Sequence, residues 1–217
     1  MEANTVHSKV KEIKQSFRLM MDGAVAQSMR DKGVNYHLNW GATIPRLQAK
    51  ADEIRSKVEG RRSKVYLYEL SIALYKENVR ECKILASMLM PADEILPEVV
   101  DIWQEQIPSQ EIAEQLAFNL YQHLPFAAEK AYQWIASDKE YDQLCGFHIL
   151  SRLFMNGQEP NERGINEYLD QALCALQGPY PAVRKAALQS VQRFAELGLL
   201  YERLAKSAMK SIDLDIF

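Results

Sequence analysis

Glu111 and Glu114 stand three residues apart in a helical pattern, so their carboxylates share one helix face. Pairs at that spacing are usually solvated, and they become a site only if the fold brings them other partners. The four histidines, His7, His37, His123 and His148, are far apart and lack metal-ligand spacing, which makes them surface or core-edge residues. Cys82, Cys145 and Cys174 are isolated, each within an apolar helical pattern, and read as reduced core thiols. There is no Walker A loop, GxGxxG, GxSxG, HExxH or CxxC, so neither a cofactor nor a metal is expected. Cation chemistry remains. Arg46, Lys50, Arg55, Arg61, Arg62 and Lys64 form a basic stretch suited to phosphate oxygens. Arg80 and Arg184 each follow a valine at a helix start, where an arginine is expected to brace the adjoining turn in preference to touching phosphate. Trp103 and Trp134 sit in apolar patterns and read as core, whereas Trp40, beside Gly41, could line a surface groove.

The elements that position these side chains are helices. With 17 Gly or Pro among 217 residues, an all-β fold rich in tight turns is disfavoured. The composition, 47% hydrophobic and 25% charged, suits one domain over residues 1–217 with a substantial core. No apolar run approaches the roughly 18 residues of a membrane span. The stretch Met1-Glu2-Ala3-Asn4-Thr5 lacks the basic-then-apolar layout of a signal peptide, so a cytoplasmic protein without a membrane partner is expected. The net charge of −3 is uneven: residues 1–90 hold 16 Lys/Arg against 10 Asp/Glu, and residues 91–217 hold 10 against 19. That distribution would direct a polyanion to the N-terminal half and keep the C-terminal half off a phosphate backbone.

Helical periodicity runs throughout. Helices are expected near Val6–Met21, between Gly23 and Gly33, and over Pro45–Val58, Lys64–Tyr75, Val79–Leu89 and Pro91–Gln106. Others follow from Ser109, from Pro125 to a segment end at Trp134-Ile135-Ala136-Ser137-Asp138, and over Tyr141–Met155, Ile165–Leu176, Pro181–Leu197 and Leu199–Met209, about twelve in all. On the first, Val10, Ile13, Phe17 and Met20/Met21 share a side; Ile95, Val99, Ile102 and Trp103 point inward further on. In Pro181–Leu197, Val183, Ala187, Val191 and Phe194 line one face with Ala186 beside them, and the small residues let a neighbouring helix approach closely. Helix starts near Val79, Ile112, Asp142 and Val183 are separated by 33, 30 and 41 residues. The expectation is an all-α, HEAT/armadillo-like helical-repeat solenoid, with residues 1–20 and 198–217 as capping helices and function on a concave face.

The repeats, Gly41-Ala42-Thr43-Ile44-Pro45-Arg46 entering a helix, Asn78-Val79-Arg80-Glu81 opening another, and Trp134-Ile135-Ala136-Ser137-Asp138 together resemble the DNA alkylation repair family. The resemblance covers most of residues 20–197 in helix order. It implies a HEAT-like-repeat glycosylase for 3- and 7-alkylated purines, with aromatic side chains against the damaged nucleotide, a carboxylate near the sugar, and Arg and Lys on the backbone. Arg46, Lys50, Arg80 and Arg184 are the candidates for that backbone contact. The family's carboxylate falls on or beside Glu114, the one surviving catalytic candidate. Ser109, Gln110 and Glu111 stand where tryptophans precede that acid, Gln143, Leu144 and Cys145 where an arginine reaches the cleft, and about Gln189 where the last repeat has its tryptophan. A stacking aromatic contributes about 1–3 kcal/mol per base, so these departures favour a divergent, non-catalytic scaffold binding DNA or a protein. The alternative is an active glycosylase using Glu114, with Trp40, Tyr141 or Arg184 completing its cleft.

Overall fold

The computed structural model describes residues 2–31, 34, 36–58 and 63–212, except the side chains of residues 2–5. Arg61, Arg62 and the Gly33 and Gly60 breaks lie outside the described residues. Among those described, twelve α-helices and two single-turn 3-10 helices account for all the regular structure. The chain forms two compact units, residues 1–120 and 121–217.

The first unit holds α1 Glu2–Leu19, α2 Gly23–Asp31, α3 Ile44–Ser56, α4 Ser63–Tyr75, α5 Arg80–Leu89, α6 Pro97–Glu105 and α7 Gln110–Asn119. Its centre is α5, which packs on α3, α4 and α7 and is buried along its whole length. A helix surrounded on all sides must find partners inside the protein for the polar groups it carries, and most of those on α5 have them. Lys83 donates to the Tyr75 carbonyl at 2.9 Å, with its ammonium 4.1 Å from the centre of the Tyr75 ring. Tyr75 in turn stacks on Trp103, ring centres 4.0 Å apart, and donates its hydroxyl to the Trp103 carbonyl. At the start of α7, the Ser109 hydroxyl accepts from the Ile112 amide.

The second unit holds a 3-10 turn at Tyr121–His123, then α8 Ala127–Ile135, α9 Glu140–Met155, α10 Glu162–Gln177, α11 Pro181–Ala195 and α12 Leu199–Met209, ending in a 3-10 turn at Lys210–Ile212. Here α9 packs on both α8 and α11. Gly146 makes the first of these contacts possible: a Cβ there would stand 2.7 Å from Ile135 Cγ2 and 2.9 Å from the Ala131 carbonyl. On α11, Val183, Ala186, Ala187, Val191 and Phe194 are all buried, as their spacing requires. Phe194 meets Phe154, Tyr168 and Tyr201, and Tyr168 finds its hydroxyl partner in Ser190 at 2.9 Å.

Four expectations change. The helix expected over Pro91–Gln106 occupies Pro97–Glu105 alone, because a residue preceding proline disfavours α geometry and Pro97 suits a first turn. Ile102 is half exposed, since α6 turns Val100 and Trp103 inward instead. Met21 lies beyond the end of α1 and is exposed, while Val10, Ile13 and Phe17 are buried as expected. Cys174 is exposed, for α10 buries Tyr168, Leu169, Ala172, Ala175 and Leu176 and so turns position 174 outward; Cys82 and Cys145 are core thiols.

Candidate functional site

Tyr36-His37-Leu38-Asn39-Trp40-Gly41-Ala42 is the connector that brings the chemically distinctive residues of the first unit together. It is held by side chains and helix ends, since it has no sheet to join. The Leu38 carbonyl accepts from the Arg80 amide at 3.1 Å, and the Trp40 carbonyl from the Asp22 amide at 2.9 Å. Glu81, in the first turn of α5 and wholly buried, accepts the Trp40 and Ala42 amides on one oxygen at 3.0 and 3.2 Å. Gly41 has φ +74, a left-handed conformation, and packs against the Asp22 carbonyl.

Arg80 lies at the middle of this arrangement. Its Nε donates to Glu111 Oε2 at 2.8 Å, its Nη2 to Glu111 Oε1 at 2.6 Å, and its Nη1 to the Ala42 carbonyl at 2.8 Å and to Glu81 at 3.3 Å. The Tyr36 hydroxyl donates to Glu111 Oε2 at 2.5 Å and shares a 2.8 Å hydrogen bond with Ser109. Burial raises the Glu111 carboxyl, but Arg80 and then Tyr36 overcome it and hold Glu111 below its ordinary value. Burial, and next the Glu111 charge, push the Tyr36 phenol well up, so it stays a neutral donor. The result is a cation–carboxylate fork closed by a phenol, with both Glu111 oxygens engaged.

Glu114, one turn further along α7, is half-buried and accepts from Gln110 at 2.8 Å. Of the cations, Lys50 is buried and paired with Glu53, while Arg184 donates to the Gly178 carbonyl at 2.7 Å and so braces the turn before α11. Arg80 departs from the turn-bracing expected of an arginine after valine: its guanidinium reaches away from its own turn, to Glu111 of α7 and the Ala42 carbonyl of the connector, as well as to Glu81 beside it. Arg46 keeps an exposed side chain, which donates to the Met20 carbonyl at 3.0 Å. Arg55 pairs with Asp52, and Lys64 with Asp93. In the second unit, Gln143 donates to the Ser137 carbonyl, Leu144 and Cys145 are core, and Gln189 is exposed.

Two participants were not singled out from sequence, Tyr36 and Glu81. The repeat spacing holds a signal for the fork itself: Arg80 and Glu111 flank the helix starts Val79 and Ile112, which stacked repeats place side by side. The charge asymmetry also resolves locally. Residues 1–120 carry 16 Lys/Arg and 17 Asp/Glu, and residues 121–217 carry 10 and 12, so each unit is close to neutral. Two cations of the basic stretch are paired directly with the acidic stretch 91–120, Lys64 with Asp93 and Arg80 with Glu111.

A groove of about 670 Å³ runs between α1 and α4, lined by Val10, Tyr68, Ile72 and the charged Glu69, Lys76 and Glu77; neither Glu111 nor Glu114 borders it. Among the described residues, no cluster of His, Cys, Asp or Glu could hold a metal ion, and no helix is long and apolar enough to cross a membrane.

No curated protein matches this sequence. A solved structure from work describing "a new family of proteins related to the HEAT-like repeat DNA glycosylases with affinity for branched DNA structures" is similar over 93% of this chain and 82% of its own, with a TM-score of 0.75 and 15% identity. The fold is therefore the all-α, HEAT-like helical repeat. The family model described as DNA alkylation repair enzyme matches residues 13–187, most of the chain, and the chain belongs to that family.

Proposed function

We propose that this protein is a non-catalytic member of the DNA alkylation repair family, a helical-repeat scaffold that binds DNA, with branched DNA as its preferred form. The observation that carries the non-catalytic half is the setting of Glu114, the one catalytic candidate: the residues preceding it, Ser109 and Gln110, are not aromatic, and Glu111, the carboxylate three positions before it, is locked in the Arg80–Tyr36 fork. A carboxylate assists base release by facing the developing positive charge on the sugar, and it must be free to do so. Glu111 has both oxygens committed, and its charge is balanced by a buried guanidinium. Glu114 stands beside Ser109, Gln110 and Glu111, none of which can stack on a base. DNA binding is supported by family membership, by the affinity for branched DNA of the structurally similar protein, and by the exposed guanidiniums of Arg18 and Arg46.

The test has two arms. Release of 7-methylguanine from alkylated DNA is expected to stay at background for the wild type and for Glu114→Gln. Release by the wild type that disappears in Glu114→Gln would establish the glycosylase instead. Affinity for a four-way junction is expected to fall steeply with salt, because each phosphate contact releases about 0.9 counterion. A flat salt response, or no binding at about 50 mM salt, would rule out DNA as the partner.

A further inference from the structure

The turn joining α1 to α2 displays two large apolar side chains to solvent: Leu19 is 91% exposed and Met21 60%. Its backbone is pinned on several sides. The Met20 carbonyl accepts from Arg46, the Met20 amide donates to the Phe17 carbonyl at 3.0 Å, and the Asp22 amide donates to the Trp40 carbonyl. Asp22 Oδ1 accepts the Ala24 and Val25 amides, both at 3.1 Å, and so caps α2. Gly41 presses against the turn so closely that a Cβ there would stand 2.1 Å from the Asp22 carbonyl oxygen. Phe17 on one side and Ala26 on the other are buried in the core. Leu19 and Met21 are thus held out together, two residues apart, by a well-fixed backbone.

The surroundings select the partner. Arg18 and Arg46 are exposed beside the turn, and the Arg18 guanidinium lies 5.7 Å from the centre of the Trp40 ring. The turn's own carboxylate, Asp22, has one oxygen engaged in capping α2. The surface therefore pairs an apolar tip with a cationic rim. Lipid is a poor match, because the apolar stripe of α1, Val10, Ile13 and Phe17, is already buried and leaves no long face for a bilayer. A second copy is also a poor match, since two side chains fall far short of the roughly 1,000 Å² of a stable interface. Nucleic acid fits both features, with base faces for the tip and phosphates for the rim.

We propose that this turn is a wedge: Leu19 and Met21 enter the open base step where the strands of branched DNA part, while Arg18 and Arg46 hold the flanking phosphates. The inference rests on the reading of the chain as a DNA-binding protein. Unstacking a step inside a linear duplex costs a few kcal/mol, whereas a branch point already presents unstacked faces. The wedge therefore supplies a preference for branched over linear DNA without any base-specific contact.

The experiment compares the full chain with Leu19→Ser/Met21→Ser and with Arg18→Gln/Arg46→Gln, by fluorescence anisotropy on a four-way junction and on a linear duplex of equal length. A 2-aminopurine at the branch reports unstacking. The apolar double variant is expected to lose about tenfold on the junction and less than about twofold on the duplex, with the 2-aminopurine rise abolished. The arginine double variant should weaken both, lowering the salt slope by about two. If the apolar variant bound the junction like the wild type, with the same 2-aminopurine rise, the wedge would be wrong while DNA binding stood. Absence of wild-type binding to either DNA would overturn the DNA reading and the wedge with it. Sedimentation with phosphatidylserine vesicles that depends on Leu19 and Met21 would assign the turn to lipid, and a wild-type dimer dispersed by the apolar variant would assign it to a second copy. Both results overturn the wedge. The substituted apolar positions are exposed, so an unchanged unfolding midpoint is expected, and the single variants Leu19→Gln and Met21→Gln serve if the double variant does not fold.

Discussion

Arg80 and Glu111 meet through two parallel hydrogen bonds of 2.8 and 2.6 Å, one from Nε and one from Nη2, in the interior of the first unit. The Arg80 side chain is almost wholly buried, and Glu81, also buried, shares its positive charge. This pairing ties the start of α5 to the start of α7 and, through Tyr36 and the Ala42 carbonyl, fastens the connector over both.

Removing the guanidinium leaves two carboxylates without their cation. Arg80→Met is expected to destabilise the protein by about 3–5 kcal/mol, as for other broken buried ion pairs. Arg80→Lys restores the charge but not the fork, and it should remain about 1–3 kcal/mol below the wild type. Denaturant unfolding measures both, and a loss under about 1 kcal/mol for Arg80→Met would show that the fork contributes little.

The contact of α8 with α9 depends on the missing side chain of Gly146. Alanine would gain about 1 kcal/mol of helix propensity and lose about 1–3 kcal/mol to overpacking against Ile135 and Ala131. A net destabilisation is expected for Gly146→Ala. A raised midpoint would show that the two helices can separate easily.

Acid should weaken the fold through His148. Burial first, then the charges of Arg152 and Lys185, hold its imidazole down to about 4, below the 6.5 of the free side chain. The unfolded chain therefore binds a proton that the native state refuses. The stabilisation is fully present above about pH 6.5 and is lost progressively as pH falls towards 4, by on the order of 3 kcal/mol. Glu111, depressed below its ordinary 4.5, adds its own loss at lower pH. Unfolding free energies at about pH 7 and 5 isolate the histidine, and His148→Gln should flatten that interval.

Thiol reactivity should divide the cysteines. Burial, then Glu77, pushes the Cys82 thiol up to about 12, whereas Cys174 is exposed on α10. The native protein is expected to titrate one thiol quickly with Ellman's reagent and three after denaturation. Loss of the fast phase in Cys174→Ser confirms the assignment.

The helices and much of the core were legible in the sequence because both depend on local spacing. Apolar residues at 3.6-residue intervals placed Val183, Ala187, Val191 and Phe194 in the core, and the helix expected over Leu199–Met209 has those bounds. The departures lie where a neighbour, not the local pattern, decides how a helix is rotated. Cys174 and Ile102 occupy apolar patterns yet face outward because α10 and α6 present other residues to their partners.

The chain alone thus determined an all-helical repeat and the arginines that follow valine at two helix starts. Only the tertiary structure decided that Arg80 finds Glu111, 31 residues away, that Tyr36 closes the fork, and that Leu19 and Met21 stand clear of the core beside Arg18 and Arg46. Periodicity is written within a few turns of one helix, whereas a buried charge must find its partner across a packed interface, and that choice exists only once the helices have stacked.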